Sequence, residues 1–196
     1  MTSTPTFQEA CAAVCAPGTM FEITEAEVLG APTKVFTHAP DNIRALFTLA
    51  AERTDDFIVY EDERRTMPAL LAEAGQIGHA LVHDFDVVRG DRVAIAMRNF
   101  PEWISAFVAI TSVGAVAVPL NAWWQTDELV FAINDSGARV VFADEDRLRR
   151  LEAAEPGDID ATIVAVRCDA DVSPGVLRLD DVLTATASMP TVEIQP

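Results

Sequence analysis

Four apolar runs in the second half of the chain begin at nearly equal intervals. They are "RVAIAM" at 92–97, "AVAV" at 115–118, "RVVFA" at 139–143 and "ATIVAV" at 161–166, with starts 23, 24 and 22 residues apart. Each interval holds one amphipathic helical stretch and two short loops. A hairpin closes over a few residues, whereas parallel neighbours need a crossover of a dozen or more. The runs are almost continuously apolar, as strands buried on both faces are. The spacing predicts an α/β fold: a layered, mostly parallel sheet with flanking helices and right-handed crossovers.

Local signals between the runs agree. Asn99 is positioned to cap a helix with Pro101 in its first turn, running through Trp103, Phe107 and Ile110 to a stop at Gly114. Thr126 is the expected cap of the next helix, with Asp127 and Glu128 in its first turn, Leu129 and Ile133 on its apolar face, and Gly137 as its end. "DRLRRLEAA" at 146–154 predicts another helix. Upstream, Pro40 and Asp41 open a helix with Ile43, Leu46, Phe47 and Ala50 on one face, and "DFIVYED" at 56–62 predicts a strand ending in an acidic turn. A longer helix follows, capped by Thr66, with Pro68 in its first turn and Leu70, Ala74, Ile77 and Leu81 on its buried side. Gly75 and Gly78 share a face of that helix, and their small size permits close packing. Residues 1–40 read as an irregular N-terminal extension lying against the domain, with extended pieces at 20–23 and 34–36 around a turn at 30–32. Residues 41–185 form the predicted α/β subdomain, and 186–196, small, polar and bounded by prolines, read as a linker.

Charge excludes one class of partner. Acidic residues outnumber basic ones 31 to 14, a formal charge of −17, which repels nucleic-acid backbones. Cys11, Cys15 and Cys168 are odd in number and lack neighbouring ligands, so they read as reduced cytoplasmic thiols. The first residues have no basic stretch and include Glu9, unlike a signal peptide, and no apolar run reaches membrane-spanning length.

Motifs that carry chemistry are sparse. The sequence holds no G-x-G-x-x-G, no G-x-x-x-x-G-K-[ST] and no G-x-S-x-G. His79 and His83 are four apart on one predicted helix, but no third ligand accompanies them, and they read as a surface or partly buried pair. "DERR" at 62–65 and "DEDR" at 144–147 read as caps and solvated turns. No residue is nominated as catalytic, cofactor-binding or metal-binding. "VGAVAVPLNAWW" at 113–124 reads as a helix end at Gly114, a central strand over 115–118, pairing terminated by Pro119, and two adjacent tryptophans. Trp123 and Trp124 have two readings: cover for the domain's core or for a seam with a neighbouring subdomain, or a platform for a ligand.

"RTMPALLAEAGQIGHAL" at 65–81 and the continuous run from "RGDRVAIAM" at 89 to "VVFADED" at 146 resemble the N-terminal part of adenylate-forming acyl-CoA synthetases, the ATP-dependent acid–CoA ligases related to luciferases and nonribosomal-peptide adenylation domains. "FEITEAEVLGAPTKVFTHAPDNIRALF" at 21–47 is similar to the lead-in of a fatty-acid–CoA ligase subgroup. One departure is Met67-Pro68-Ala69-Leu70, where the family carries an aromatic residue and a glutamate before the leucine. The resemblance implies formation of acyl-AMP from a carboxylate and ATP, transfer to CoA, and ATP, Mg and CoA as cofactors of the parent enzyme. The family's Ser/Thr-Ser-Gly-Thr-Thr-Gly-x-Pro-Lys-Gly phosphate loop does not occur in these residues, nor do its later adenine-binding motifs and catalytic lysine. The expectation is therefore a catalytically incomplete N-terminal part of a fatty-acid–CoA ligase. Its partner is the remainder of the ligase chain, and an exposed apolar seam offers a route to self-association. The alternative is a stand-alone α/β binding or protein-interaction module without catalytic activity. A small doubly wound nucleotide-binding protein is disfavoured by the missing phosphate loop.

Overall fold

The computed structural model describes residues 4–184 and 188–194. The chain divides into two compact units, Met1–Asp41 and Asn42–Pro196.

The first unit is more regular than the sequence suggests. α1 (Phe7–Val14) starts at a capping box: the Glu9 N–H donates to Thr6 Oγ1 at 3.3 Å and the Thr6 N–H to Glu9 Oε2 at 2.8 Å. β1 (Ile23–Val28) and β2 (Ala31–Phe36) pair antiparallel from Ile23↔Phe36 to Val28↔Ala31. The turn is Leu29–Gly30, both left-handed at φ 51° and 80°, the twist that hairpins favour. The expected irregular stretch is thus a helix and a full hairpin. The Thr-x-x-Glu signature at Thr6 and Glu9 announced the helix. The hairpin was harder to see because Glu, Ala and Pro dilute its strands.

The second unit carries the predicted sheet. Its elements are α2 (Ile43–Thr48), β3 (Asp56–Tyr60), β4 (Glu63–Thr66), α3 (Met67–His83), β5 (Arg92–Ala96), α4 (Pro101–Ser112), β6 (Val116–Pro119), α5 (Thr126–Ser136), β7 (Ala138–Asp144), α6 (Glu145–Glu152), β8 (Thr162–Val166), β9 (Leu177–Arg178) and α7 (Leu179–Val182). β3 and β4 form an antiparallel hairpin, where the sequence suggested one strand and an acidic turn. The other strands form one parallel sheet in the order β6-β5-β7-β8-β9. Alternation along β5 separates two cores. Val93 and Ile95 face α3 and α4, together with Ile77, Leu81, Ala109 and Ile110. Ala94 and Ala96 face α5 and α6, together with Leu129, Ile133, Leu148 and Leu151. This is the layered α/β architecture that the spacing predicts.

Caps differ in detail from expectation. Thr66 accepts the Ala69 N–H at 3.4 Å, as predicted. α2 is capped by Asn42 rather than opened at Pro40 and Asp41. α4 has Pro101 in its first turn, but its N-cap is Phe100, not Asn99, without a side-chain cap. α5 is capped one residue early, at Gln125, and Thr126 instead donates to the Arg150 carbonyl at 2.9 Å. Gly137 ends α5 at φ 63°, the left-handed cap expected of it. Gly75 meets a specific neighbour: a Cβ there would lie 2.9 Å from the Met189 backbone nitrogen, and Met189 and Val192 pack against the α3–α4 core.

β6 is not the central strand expected. It lies at the sheet's edge because the chain leaves β5 in one direction through α4 and returns through α5 to the other side of β5. Pro119 is the last paired residue of β6, opposite Ile95, so the pairing ends there as expected. The Val116 and Leu120 N–H groups both donate inward, to Asp91 and Ile95 carbonyls, so Ala117 and Pro119 face outward. A residue with no N–H is tolerated at such a free-edge position.

Candidate functional site

Connections leaving β5 and β7 run in opposite directions, β5 to β6 and β7 to β8. The carboxyl ends of β5 and β7 therefore flank a topological switch point, where open α/β sheets gather ligands. A cavity of about 150 Å³ lies there, lined by Arg98, Phe100, Asp144, Glu145, Asp146 and Arg167.

Asp144 ends β7 and closes much of this crevice. Its carboxylate accepts the Arg98 N–H at 2.8 Å and caps α6 through the Arg147 N–H at 3.0 Å. Arg147 also donates Nη1 to Asp144 Oδ2 at 3.0 Å, and this ion pair is almost wholly buried. The guanidinium reaches on to the Ala122 carbonyl, with Nε at 2.7 Å and Nη2 as a second donor. Arg150 Nη1 donates to the Trp124 carbonyl at 2.6 Å. Two arginines of α6 thus hold the loop that carries both tryptophans. Asn121 ties it further, its Oδ1 accepting the Trp123 N–H at 2.9 Å. In "DEDR" Asp144 is the helix cap expected and Asp146 is exposed, but Asp144 and Arg147 form a buried clamp rather than part of a solvated turn, because the sheet end, α6 and the loop enclose them.

A second charged cluster stands at the end of β8. Arg167 has a left-handed backbone, φ 52°, uncommon for a residue with a Cβ. Its guanidinium forks onto Glu63 through Nη1 and Nη2 at 2.7 and 2.8 Å, and onto Glu102 through Nε and Nη2 at 2.6 and 3.0 Å. The rings of Tyr60 and Phe100 lie 5.4 and 5.3 Å from the cation. Arg65 donates to Glu73 Oε2 at 2.6 Å and also to Glu102. The Ser105 hydroxyl donates to Glu73. "DERR" thus contributes Glu63 and Arg65 to a part-buried network, contrary to a solvated turn.

This electrostatic arrangement suppresses acid–base chemistry. Burial alone would raise the Glu102 carboxyl, but the Arg167 hydrogen bonds, its own backbone hydrogen bond and the charge of Arg65 outweigh it and hold it below the usual carboxylate range. The Arg167 hydrogen bonds do the same for Glu63. The two carboxylates raise Arg167 above the usual guanidinium range. These groups stay charged near neutral pH and bind one another. Beside them a cavity of about 270 Å³ includes Cys168, Asp169, Arg178 and Asp180 in its lining. Burial, with the Glu145 charge next, pushes the Cys168 thiol up, so it is a poor nucleophile at neutral pH. Arg178 Nη1 and Nη2 donate to the Cys168 and Ala170 carbonyls, each at 2.5 Å.

The remaining sequence candidates lie elsewhere. The His79 and His83 rings are 4.4 Å apart on α3. Cys11, Cys15 and Cys168 are free thiols. Trp124 packs against the α5–α6 core, whereas Trp123 is 74% exposed. Among the described residues no group of three or more His, Cys, Asp or Glu is placed to hold a metal, and no helix is long and apolar enough to cross a membrane. Sequence reasoning missed Glu102, Arg167 and their partners. The available signals were Glu102 directly after the first-turn proline of α4 and Arg167 directly after the last apolar residue of β8.

Comparison with known proteins agrees with this architecture. The family described as AMP-binding enzyme matches residues 47–191. Malpinin synthetase of Mortierella alpina is 34% identical over 110 residues, which cover 54% of this chain and 1% of that protein. A long-chain-fatty-acid–CoA ligase of Mycobacterium tuberculosis is 36% identical over 80 residues, which cover 41% of this chain and 16% of that one. The solved structure of an anthranilate CoA ligase in complex with anthranoyl-AMP superposes with a TM-score of 0.71 at 23% identity, covering 80% of this chain and 30% of that one. The matched part of this chain thus spans a minor share of each of these relatives.

Proposed function

The chain belongs to the family of AMP-binding enzymes, and from that premise we propose that it is the N-terminal scaffold of an ATP-dependent acid–CoA ligase acting on hydrophobic, fatty carboxylates. In the whole enzyme the carboxylate oxygen attacks the α-phosphorus of ATP and pyrophosphate leaves. The CoA thiolate then attacks the acyl carbon and AMP leaves. The observation that carries this reading is the family match over residues 47–191, which takes in the entire parallel sheet and its switch point. The fatty class is favoured by the M. tuberculosis relative and by the lead-in at 21–47.

The residues present do not fit ATP and Mg by themselves. The single lysine of the chain, Lys34, lies on β2 of the first unit. Arg147 and Arg167 at the sheet's carboxyl edge, and Arg65 on β4, are committed to carboxylates and carbonyls. Nucleotide-binding groups are therefore assigned to the rest of the ligase, the partner of this scaffold. The scaffold's own task is to hold the crevice rim and the tryptophan loop in place.

ATP–pyrophosphate exchange by the protein carrying this sequence in its natural reading frame tests the reading, with fatty and aromatic acids compared. Exchange stimulated by fatty acids is expected. Stimulation by aromatic acids alone overturns the substrate class, and no exchange with any carboxylate overturns the reaction.

A further inference from the structure

On the outer side of β6, a groove of about 580 Å³ opens between that edge strand and α5. Val118, Pro119, Leu120, Trp124, Phe131 and Ala132 give it an apolar surface. Asp127, Glu128 and Asp135 line it as well. α5 carries no lysine or arginine, and none of these three carboxylates has a cationic partner among the described residues. Phe131 is 68% exposed, and the neighbouring loop presents Trp123. Arg147 and Arg150 hold that loop, so its aromatic surface is ordered before any contact is made.

We propose that this groove is a docking site for a polypeptide segment that presents apolar side chains flanked by lysine or arginine. The chemistry of the groove selects among occupants. Its acidic wall, on a chain of formal charge −17, repels a second copy, a free fatty acid and an anionic membrane surface. The free edge of β6 gives little to an added strand, because outward-facing Pro119 has no N–H to donate. Recognition therefore runs through side chains: apolar anchors against Trp124 and Phe131, cations against Asp127 and Asp135.

Fluorescence anisotropy of a short labelled amphipathic peptide of Leu, Phe and Lys, titrated with the chain, tests the proposal. Two control peptides replace Lys by Glu, or Leu and Phe by Ser. Saturable binding of the first peptide alone is expected, weaker in high salt. Phe131→Ala should weaken it about tenfold, and Asp127→Asn with Asp135→Asn about fivefold. All three side chains are exposed, so unchanged melting of these variants separates lost docking from lost folding. Equal binding of the acidic peptide, no binding of the basic one, or no effect of the variants overturns the proposal. So does occlusion of the groove by a dimer of the chain, or its filling by a fatty acid in preference to the peptide.

Discussion

Glu102 and Arg167 are 65 residues apart in the chain and meet in two hydrogen bonds at 2.6 and 3.0 Å. One opens α4 and the other follows β8, so their contact ties a helix on one face of the sheet to the carboxyl edge. Arg167 carries the tie on to Glu63 of the β3–β4 hairpin. Because all of these groups stay ionised and paired, the edge is braced rather than reactive.

Glu102→Gln should therefore destabilise the fold. Glu102 is 6% exposed, and its loss leaves Arg65 and Arg167 with one fewer carboxylate each. A cost of about 2 kcal/mol is expected, below the range for wholly buried pairs because Arg167 is partly solvated. Urea unfolding measures it, and an unchanged midpoint would contradict the bracing role.

The same pair sets a pH dependence. Glu102 and Glu63 have folded pKa values below their unfolded ones, so their contribution is complete above the ordinary carboxylate pKa, about 4.3. It is lost as pH falls through the lowered folded values. Stability should decline on acidification across that window, with a shallower slope in Glu102→Gln. Equal slopes for the two proteins would locate the acid sensitivity elsewhere.

Arg147→Met should release the tryptophan loop. Asp144 would remain buried without its cation, and the Ala122 carbonyl would lose two donors. A loss of about 3 kcal/mol is expected, together with a red shift in tryptophan emission as Trp124 becomes wetter. Emission identical to that of the unsubstituted chain would show that the loop needs no clamp.

Gly75→Ala sets helix propensity against space. Alanine favours a helix interior by about 1 kcal/mol, but its Cβ would stand 2.9 Å from the Met189 nitrogen, a backbone atom that cannot rotate away. The contact should prevail and lift the segment around Met189 from α3. Limited proteolysis should then cut near Met189 faster, while the sheet still melts cooperatively. Protection equal to the wild type would show that the segment yields without leaving.

The sequence displayed the sheet more clearly than the site. Strands 92–97, 139–143 and 161–166 were legible because two-faced burial leaves long apolar runs, and Gly137 marked a helix end by its conformational freedom. The edge position of β6 was hidden, since apolar spacing reports that a strand exists and not which neighbour it takes. Thr6 and Glu9 carried a readable capping box, whereas the caps at Phe100 and Gln125 use residue types that seldom announce a helix. The charged clusters were least legible. Arg65, Arg147 and Arg167 look like solvated residues in a sequence, and only the convergence of β4, α3, α4 and β8, or of β7, α6 and the Trp123 loop, buries them beside carboxylates. Trp123 and Trp124 are adjacent, yet one packs against a core and the other is exposed, a division set by the loop's path.

The central claim is that this α/β unit scaffolds an adenylating site whose nucleotide-binding groups come from elsewhere in the enzyme. Calorimetric titration of the 196-residue chain with Mg-ATP, with pyrophosphate exchange on the same sample, tests it most directly. The account predicts no saturable heat and no exchange with any fatty acid, because Arg65, Arg147 and Arg167 are already paired and the chain's single lysine, Lys34, belongs to β2 of the first unit. Saturable binding that disappears in Arg167→Ala, or exchange above a heat-killed control, would contradict it.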